Sequence, residues 1–255
     1  MERELAQYAK AAILVNLTTG IKLFSKNENT RLDIASITKL MTIFIILNKI
    51  RNQELQWGRM IQVNEQAVRL VGSKVPLQAG YSYSVEDLFK GILICSGNDA
   101  AYTIAEYING SEEAFVKEMN QKAIHLNLLN THFMNPHGLP QNNHYSTVQD
   151  LVTLTIELLK EKTVLDFSNR KSDSITVNSQ TRRILNTNTL LKKCNKVDGL
   201  KTGYSPRAGH CIVATASINE VRFLAIVLGE PTREIRDQEV LELLHNGNLH
   251  YENGY

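Results

Sequence analysis

Ser36 and Lys39 stand three residues apart at the head of a long apolar run, Leu40-Met41-Thr42-Ile43-Phe44-Ile45-Ile46-Leu47. The run reads as a buried helix, and on a helix positions i and i+3 share a face, so the Ser36 hydroxyl and the Lys39 amine can touch. A serine hydroxyl is a poor nucleophile at neutral pH, and a neighbouring amine that has lost its proton activates it. Burial and nearby cations lower the pKa of a lysine, which is what such a base requires. The first turn of a helix also offers backbone N–H groups without intrahelical partners, which stabilise developing negative charge. The spacing alone does not single out Ser36. A second Ser-x-x-Lys, Ser168 to Lys171, lies in a polar segment that is expected to do no chemistry.

Two further motifs follow in order. Ser96-Gly97-Asn98 supplies a second hydroxyl and an amide, although Ser25-Lys26-Asn27 and Ser217-Ile218-Asn219 match the same template. Lys201-Thr202-Gly203 occurs once, on a strand-like segment, where a glycine lets a ligand backbone approach closely. A Ser-x-x-Lys, a Ser-x-Asn and a Lys-Thr-Gly in this order form the signature of serine β-lactamases and penicillin-binding proteins.

The elements that must position these residues follow from periodicity. Ala11 to Leu17 and Gly20 to Ser25 read as two strands joined by a turn at Thr18-Thr19-Gly20. The segment from Leu55 to Val63 has no clear period, and Gly72-Ser73-Lys74-Val75-Pro76 reads as a loop. Ser84-Val85-Glu86-Asp87 resembles a capping box at the start of a helix carrying Leu88, Ile92 and Leu93. Helices follow through Ile104 and Ile108, from Glu112 to Leu126, and from Thr147 to Leu159. Short strands begin at Ile175-Thr176-Val177. Cys211 to Ala216 and Val221 to Leu228 then read as an antiparallel hairpin in a sheet buried on both faces. A C-terminal amphipathic helix from about Arg233 to His245 covers one face. Strand signals at both chain ends, with helices between, imply one sheet built from both ends and an inserted helical lobe.

Composition excludes several classes of function. The 255 residues suffice for a large core. With 43% hydrophobic and 21% charged residues, the profile is globular. A net charge of +2 with no basic stripe excludes a nucleic-acid footprint. Cys95, Cys194 and Cys211 are odd in number and lie in or beside apolar runs, so buried thiols are expected, not a disulfide framework. His132, His137 and His144 cluster in a polar connection, but their spacing fits none of the common zinc patterns, and hydrogen bonding within the loop is the expectation. No apolar stretch is long enough to span a membrane, and Met1-Glu2-Arg3-Glu4-Leu5 lacks the charged-then-apolar pattern of a secretory signal.

The resemblance extends beyond the three motifs. Ala35-Ser36-Ile37-Thr38-Lys39, Ser96-Gly97-Asn98-Asp99-Ala100, Asn135-Pro136-His137-Gly138-Leu139 and Val197 to Tyr204 together resemble the low-molecular-mass D-alanyl-D-alanine carboxypeptidases, penicillin-binding peptidases that trim cell-wall stem peptides. The similarity runs from about Ala11 to His245. It implies an α/β (α+β) fold of the β-lactamase/transpeptidase-like kind, with a five-stranded antiparallel sheet flanked by helices. One catalytic domain is expected over 1–255, with a sheet lobe at about 8–35 and 172–250, a helical lobe at about 36–171, and no C-terminal β domain.

By resemblance, Ser36 attacks the carbonyl between two D-alanines and Lys39 is the general base. Ser96 and Lys201 carry a proton to the leaving D-alanine, and Asn98 hydrogen-bonds the substrate amide and holds Lys39. The backbone N–H groups of Ser36 and Tyr204 form an oxyanion hole beside Gly203. Thr202 and Arg236 bind the terminal carboxylate, which suits the bidentate fork of arginine, although Arg233 lies one helical turn away and could substitute. The implied partners are peptidoglycan stem peptides, with β-lactams as covalent inhibitors. No cofactor, metal or nucleic acid is implied, and membrane anchoring is not supported by this chain. The implied location is extracytoplasmic. A D,D-endopeptidase shares every motif. A β-lactamase would need a glutamate-bound water before the third motif, where only Glu157 and Glu161 occur. A non-catalytic β-lactam sensor would have no use for the proton path.

Overall fold

The structure, a computed structural model, describes residues 5–177 and 180–252. Met1 to Glu4, where a leader would be read, and the chain end at Tyr255 lie outside the described residues. The first hairpin forms as expected: β1 (Ala11–Asn16) pairs antiparallel with β2 (Ile21–Lys26). The other end of the chain supplies β7 (Val197–Ser205), β8 (Gly209–Ile218) and β9 (Val221–Glu230). Among the described residues these five strands form one antiparallel sheet in the order β2-β1-β9-β8-β7.

Strand alternation sorts the apolar residues onto two faces. Ile13, Val15, Val213, Leu224, Ile226 and Leu228 join the core on the helical side. Ala12, Leu14, Ile212, Ala214, Phe223 and Val227 pack with Val240, Leu243 and Leu244 of the C-terminal helix. Both faces are therefore covered, and β8 and β9 read as continuous apolar runs for that reason.

The inserted segment is helical: α1 (Lys39–Arg51), α2 (Glu65–Arg69), α3 (Val85–Leu93), α4 (Asn98–Asn109), α5 (Glu112–His125), α6 (Val148–Leu158) and α7 (Lys162–Ser168). Side-chain caps start four of them. Asn64 Oδ1 accepts from Ala67 N at 2.9 Å at the head of α2. Ser84 Oγ accepts from Asp87 N at 3.0 Å, Ser111 Oγ from Ala114 N at 3.1 Å, and Thr147 Oγ1 from Asp150 N at 3.0 Å. Within this lobe the unclear Leu55–Val63 region contains β3 (Met60–Gln62), which pairs with β4 (Ser82–Ser84).

Four expectations need correction. Ser36 is not on an α-helix but on a 3-10 turn, Ala35–Thr38, that runs into α1. The strand at Ile175 belongs to a separate hairpin, β5 (Ser172–Val177) with β6 (Gln180–Leu185), outside the five-stranded sheet. Thr176 N donates to Asp87 Oδ2 of α3 at 3.3 Å, so this hairpin lies against the helical lobe although its residues fall in the range expected for the sheet lobe. After a short α8 (Leu190–Lys193), the last helix, α9 (Arg233–Glu252), runs a further two turns beyond His245. The three cysteines are free, but only Cys211 is buried and the other two are half-buried.

Candidate active site

The 3-10 turn bearing Ser36 is clamped from three sides. Ile37 N donates to Ile34 O at 3.1 Å, and the Thr38 hydroxyl donates to Ala35 O at 2.7 Å. His144 lies behind Thr38: its Nδ1 accepts from Met134 N at 3.1 Å, so Nε2 carries the hydrogen and donates to Thr38 Oγ1 at 2.7 Å. Burial pushes the His144 imidazole down to about 3, which keeps it in this neutral form. The Asn135-Pro136-His137-Gly138 loop closes the second side. A Cβ on Gly138 (φ +88°) would fall 2.0 Å from Ala35 O, so only glycine fits. β7 closes the third side as the sheet edge. A Cβ on Gly203 would come 2.9 Å from Ile34 O and 3.1 Å from Ser36 N.

Lys39 is fully buried, and its Nζ lies 2.9 Å from Ser36 Oγ, 2.7 Å from Asn98 Oδ1 and 2.6 Å from His137 O. Burial holds its pKa well below the ordinary lysine value, and repulsion from Lys201 lowers it further. A neutral amine has two N–H groups and one lone pair. Asn98 Oδ1 and His137 O are acceptors and take both N–H groups, which directs the lone pair at the Ser36 hydroxyl.

Ser96 and Lys201 form a second pair. Ser96 sits between α3 and α4 with φ of 64°, a left-handed conformation that costs a non-glycine residue roughly 1 kcal/mol. That backbone turns its Oγ to accept from Lys201 Nζ at 2.8 Å, while Lys201 also donates to Thr202 O at 2.9 Å. Burial brings Lys201 down to about 7, with Arg236 adding to the effect. Asn98 uses Nδ2 to hold Val71 O at 2.7 Å, which leaves one N–H of that amide for a substrate.

The residues surround a cleft of about 660 Å³ whose lining includes Ser36, Ser96, Thr202, Gly203, Tyr204 and Arg236. Lys39, Asn98 and Lys201 lie beneath its floor, reached through Ser36 and Ser96. Thr202 Oγ1 donates to Thr187 Oγ1 at 2.8 Å. Arg236, 3% exposed, donates through Nε and Nη2 to Asp237 Oδ1 at 3.1 and 2.6 Å. Tyr204 is 60% exposed at the cleft rim and stacks on His210 with ring centroids 4.3 Å apart.

Sequence reading missed several parts of this site. Asn186, Thr187 and Thr189 line the cleft together with Ser36, and His210 stacks against Tyr204. The polar run Asn186 to Thr189 was the available signal, but only the fold brings it beside Thr202. Of the three loop histidines, His132 Nδ1 lies 2.7 Å from Asn143 O, His137 Nδ1 accepts from Leu139 N at 3.3 Å and His144 Nδ1 accepts from Met134 N at 3.1 Å, in keeping with hydrogen bonding within the loop. Neither Glu157 nor Glu161 lines the cleft: Glu157 pairs with Lys160 and Glu161 with Arg51.

Comparison with known proteins gives a consistent result. The family described as D-alanyl-D-alanine carboxypeptidase matches residues 2–232. D-alanyl-D-alanine carboxypeptidase DacF of Bacillus subtilis is 39% identical over 98% of this chain and 64% of its own length. D-alanyl-D-alanine carboxypeptidase DacC of Escherichia coli is 36% identical over 96% of this chain and 62% of its own. The chain thus spans a little under two thirds of these curated relatives. Among solved structures, penicillin-binding protein D2 of Listeria monocytogenes in its ampicillin-bound form superposes with a TM-score of 0.85. It is 31% identical and covers 96% of this chain and 99% of that one.

Proposed function

Because the chain belongs to the D-alanyl-D-alanine carboxypeptidase family, we propose that it removes the terminal D-alanine from peptidoglycan stem peptides through an acyl-enzyme on Ser36. The observation that carries this reading is the buried Lys39 amine, whose Nζ lies 2.9 Å from Ser36 Oγ, 2.7 Å from Asn98 Oδ1 and 2.6 Å from His137 O, an arrangement in which the neutral amine spends both N–H groups on the two carbonyl oxygens and keeps its lone pair for Ser36.

In this reading Ser36 Oγ attacks the carbonyl carbon between the two D-alanines while Lys39 takes its proton. The Ser36 and Tyr204 N–H groups stabilise the oxyanion, a contribution worth roughly 3–4 kcal/mol per donor in comparable sites. The leaving D-alanine nitrogen takes a proton relayed through Ser96 from Lys201, and its carboxylate rests near Thr202 and Arg236. Lys39 passes the proton it took from Ser36 on to replace the one Lys201 gave up, so it is neutral again when water enters. It then takes a proton from the attacking water and returns it to Ser36 Oγ as the acyl bond breaks, and the shortened peptide leaves. β-Lactams would acylate the same hydroxyl, a reading supported by the ampicillin-bound form of the Listeria relative. A substrate in the cell wall puts the site of action outside the cytoplasm. No described helix is long and apolar enough to cross a membrane. The β-lactamase alternative is disfavoured because, among the described residues, no glutamate lines the cleft to hold a deacylating water.

The test is D-alanine release from diacetyl-Lys-D-Ala-D-Ala. The unaltered chain should release it, Ser36→Ala should release none, and Lys39→Ala should fall by roughly 10²–10⁴-fold, the usual worth of general-base assistance. Rapid penicillin hydrolysis without peptide cleavage would contradict the reading.

A further inference from the structure

The cation expected to receive the substrate carboxylate already has an anion of its own. Asp237 Oδ1 accepts two hydrogen bonds from Arg236, and Asp237 Oδ2 accepts from Thr189 Oγ1 at 2.6 Å and Lys193 Nζ at 2.7 Å. The Asp237 carboxyl is held below its ordinary pKa against the opposing effect of burial, chiefly by the bonds from Lys193 and Thr189, with the Arg236 charge adding to them. Arg236 therefore stands as a buried, internally compensated post.

Arg233 is different. It lies one turn earlier on α9, lines the same cleft and is exposed to solvent, and its side chain forms no hydrogen bond or ion pair with any described residue. Its charge nonetheless acts at the site: the His210 imidazole is held below its usual pKa by burial first, then by Arg236 and by Arg233. The mouth of the cleft thus presents an exposed, unpaired guanidinium one helical turn from a buried, paired one. A charge lining a low-dielectric cleft raises the capture rate of an oppositely charged ligand by 10-fold or more, an effect that salt suppresses.

Resting on the peptidase reading above, we propose that Arg233 is the residue that captures the carboxylate of the leaving group and passes it to Thr202 and Arg236, so that it sets the preference of the site for acyl donors whose leaving group is anionic. Arg236 and Thr202 then fix the bound geometry, and Arg233 governs how often an anionic donor reaches it.

Two thioesters of the same N-acyl-D-alanine test this, one with thioglycolate as leaving group and one with ethanethiol, assayed with the unaltered chain, Arg233→Gln and Arg233→Lys. In Arg233→Gln the ratio of kcat/KM for the anionic over the neutral donor should fall about tenfold, through KM, and the salt dependence of that ratio should flatten. Arg233→Lys should restore much of the salt dependence, since a point charge steers as a guanidinium does. Arg233 has no partner whose loss could unfold the chain, and matching melting curves check this. A ratio in Arg233→Gln within twofold of the unaltered chain overturns the proposal while leaving the peptidase reading intact. If the unaltered chain cleaves neither thioester and releases no D-alanine, both fall.

Discussion

Two buried lysines 162 positions apart in sequence, Lys39 and Lys201, share the floor of one cleft, and each alters what the other can do. Burial alone favours the neutral form of both, but the Lys201 charge presses further on Lys39. The sign of that effect is testable. Lys201→Gln removes the repulsion, so the Lys39 pKa rises, and a higher pH is then needed to free the base. The acidic limb of the acylation profile should therefore move to higher pH, on top of a lower plateau rate. Reaction with a fluorescent penicillin across pH reads both, and an acidic limb that stays in place or moves down would show that the two amines do not interact. The Ser36–Lys39 contact was legible in the sequence because it depends only on a three-residue spacing. Of the partners that make Lys39 a base, Asn98 was reached only through the family resemblance and the His137 carbonyl not at all. Asn98 and the His137 carbonyl are 59 and 98 residues away, and no local pattern announces a backbone oxygen as a ligand for an amine.

At the scale of elements, the nucleophile depends on how closely its neighbours approach. The apolar run after Lys39 correctly implied a helix, yet Ser36 lies on a 3-10 turn because Ala35, at φ 45°, and the Gly138 loop force a tighter entry. Gly138→Ala tests this packing. A left-handed φ costs a non-glycine residue roughly 1–2 kcal/mol, and a Cβ driven into Ala35 O adds an overpacking cost of roughly 1–3 kcal/mol. The variant should melt well below the unaltered chain and acylate slowly. Gly110→Ala is the control: its φ is +80° with nothing within 4 Å of the added Cβ, so it should lose only the conformational part and keep its acylation rate. Equal behaviour of the two variants would contradict the clamp. Elsewhere the sequence was less informative. β6 (Gln-Thr-Arg-Arg-Ile-Leu) buries only Ile184 and so shows no alternation. The end of α9 was hidden by Gly247, which has the look of a stop signal. In the fold it lets the helix cross the sheet, where an added Cβ would meet Leu14 at 3.0 Å and Phe223 at 3.1 Å.

The whole molecule turns a chain of ordinary composition into a site by topology. The sheet is closed by strands from both ends, so its edge strand β7 comes to lie against a turn more than 160 residues earlier, with the helical insert forming the opposite wall. Strand and helix periodicity made the sheet from both chain ends and the helical insert legible, the resemblance implied five strands, and the place of β7 at the edge beside the turn came only with the fold. The polar lining from Asn186 to Thr189, and the pairing of Arg236 with Asp237 instead of with open solvent, depend on tertiary approach and were not legible. The central claim is that this topology makes one hydroxyl, that of Ser36, nucleophilic. The most direct measurement is mass spectrometry of the protein after exposure to penicillin, with the adduct mapped to a peptide. The account predicts one penicilloyl group per chain, carried by the peptide containing Ser36 and absent from a Ser36→Ala variant that melts normally. An adduct on any other residue, or none on a folded chain, would contradict it.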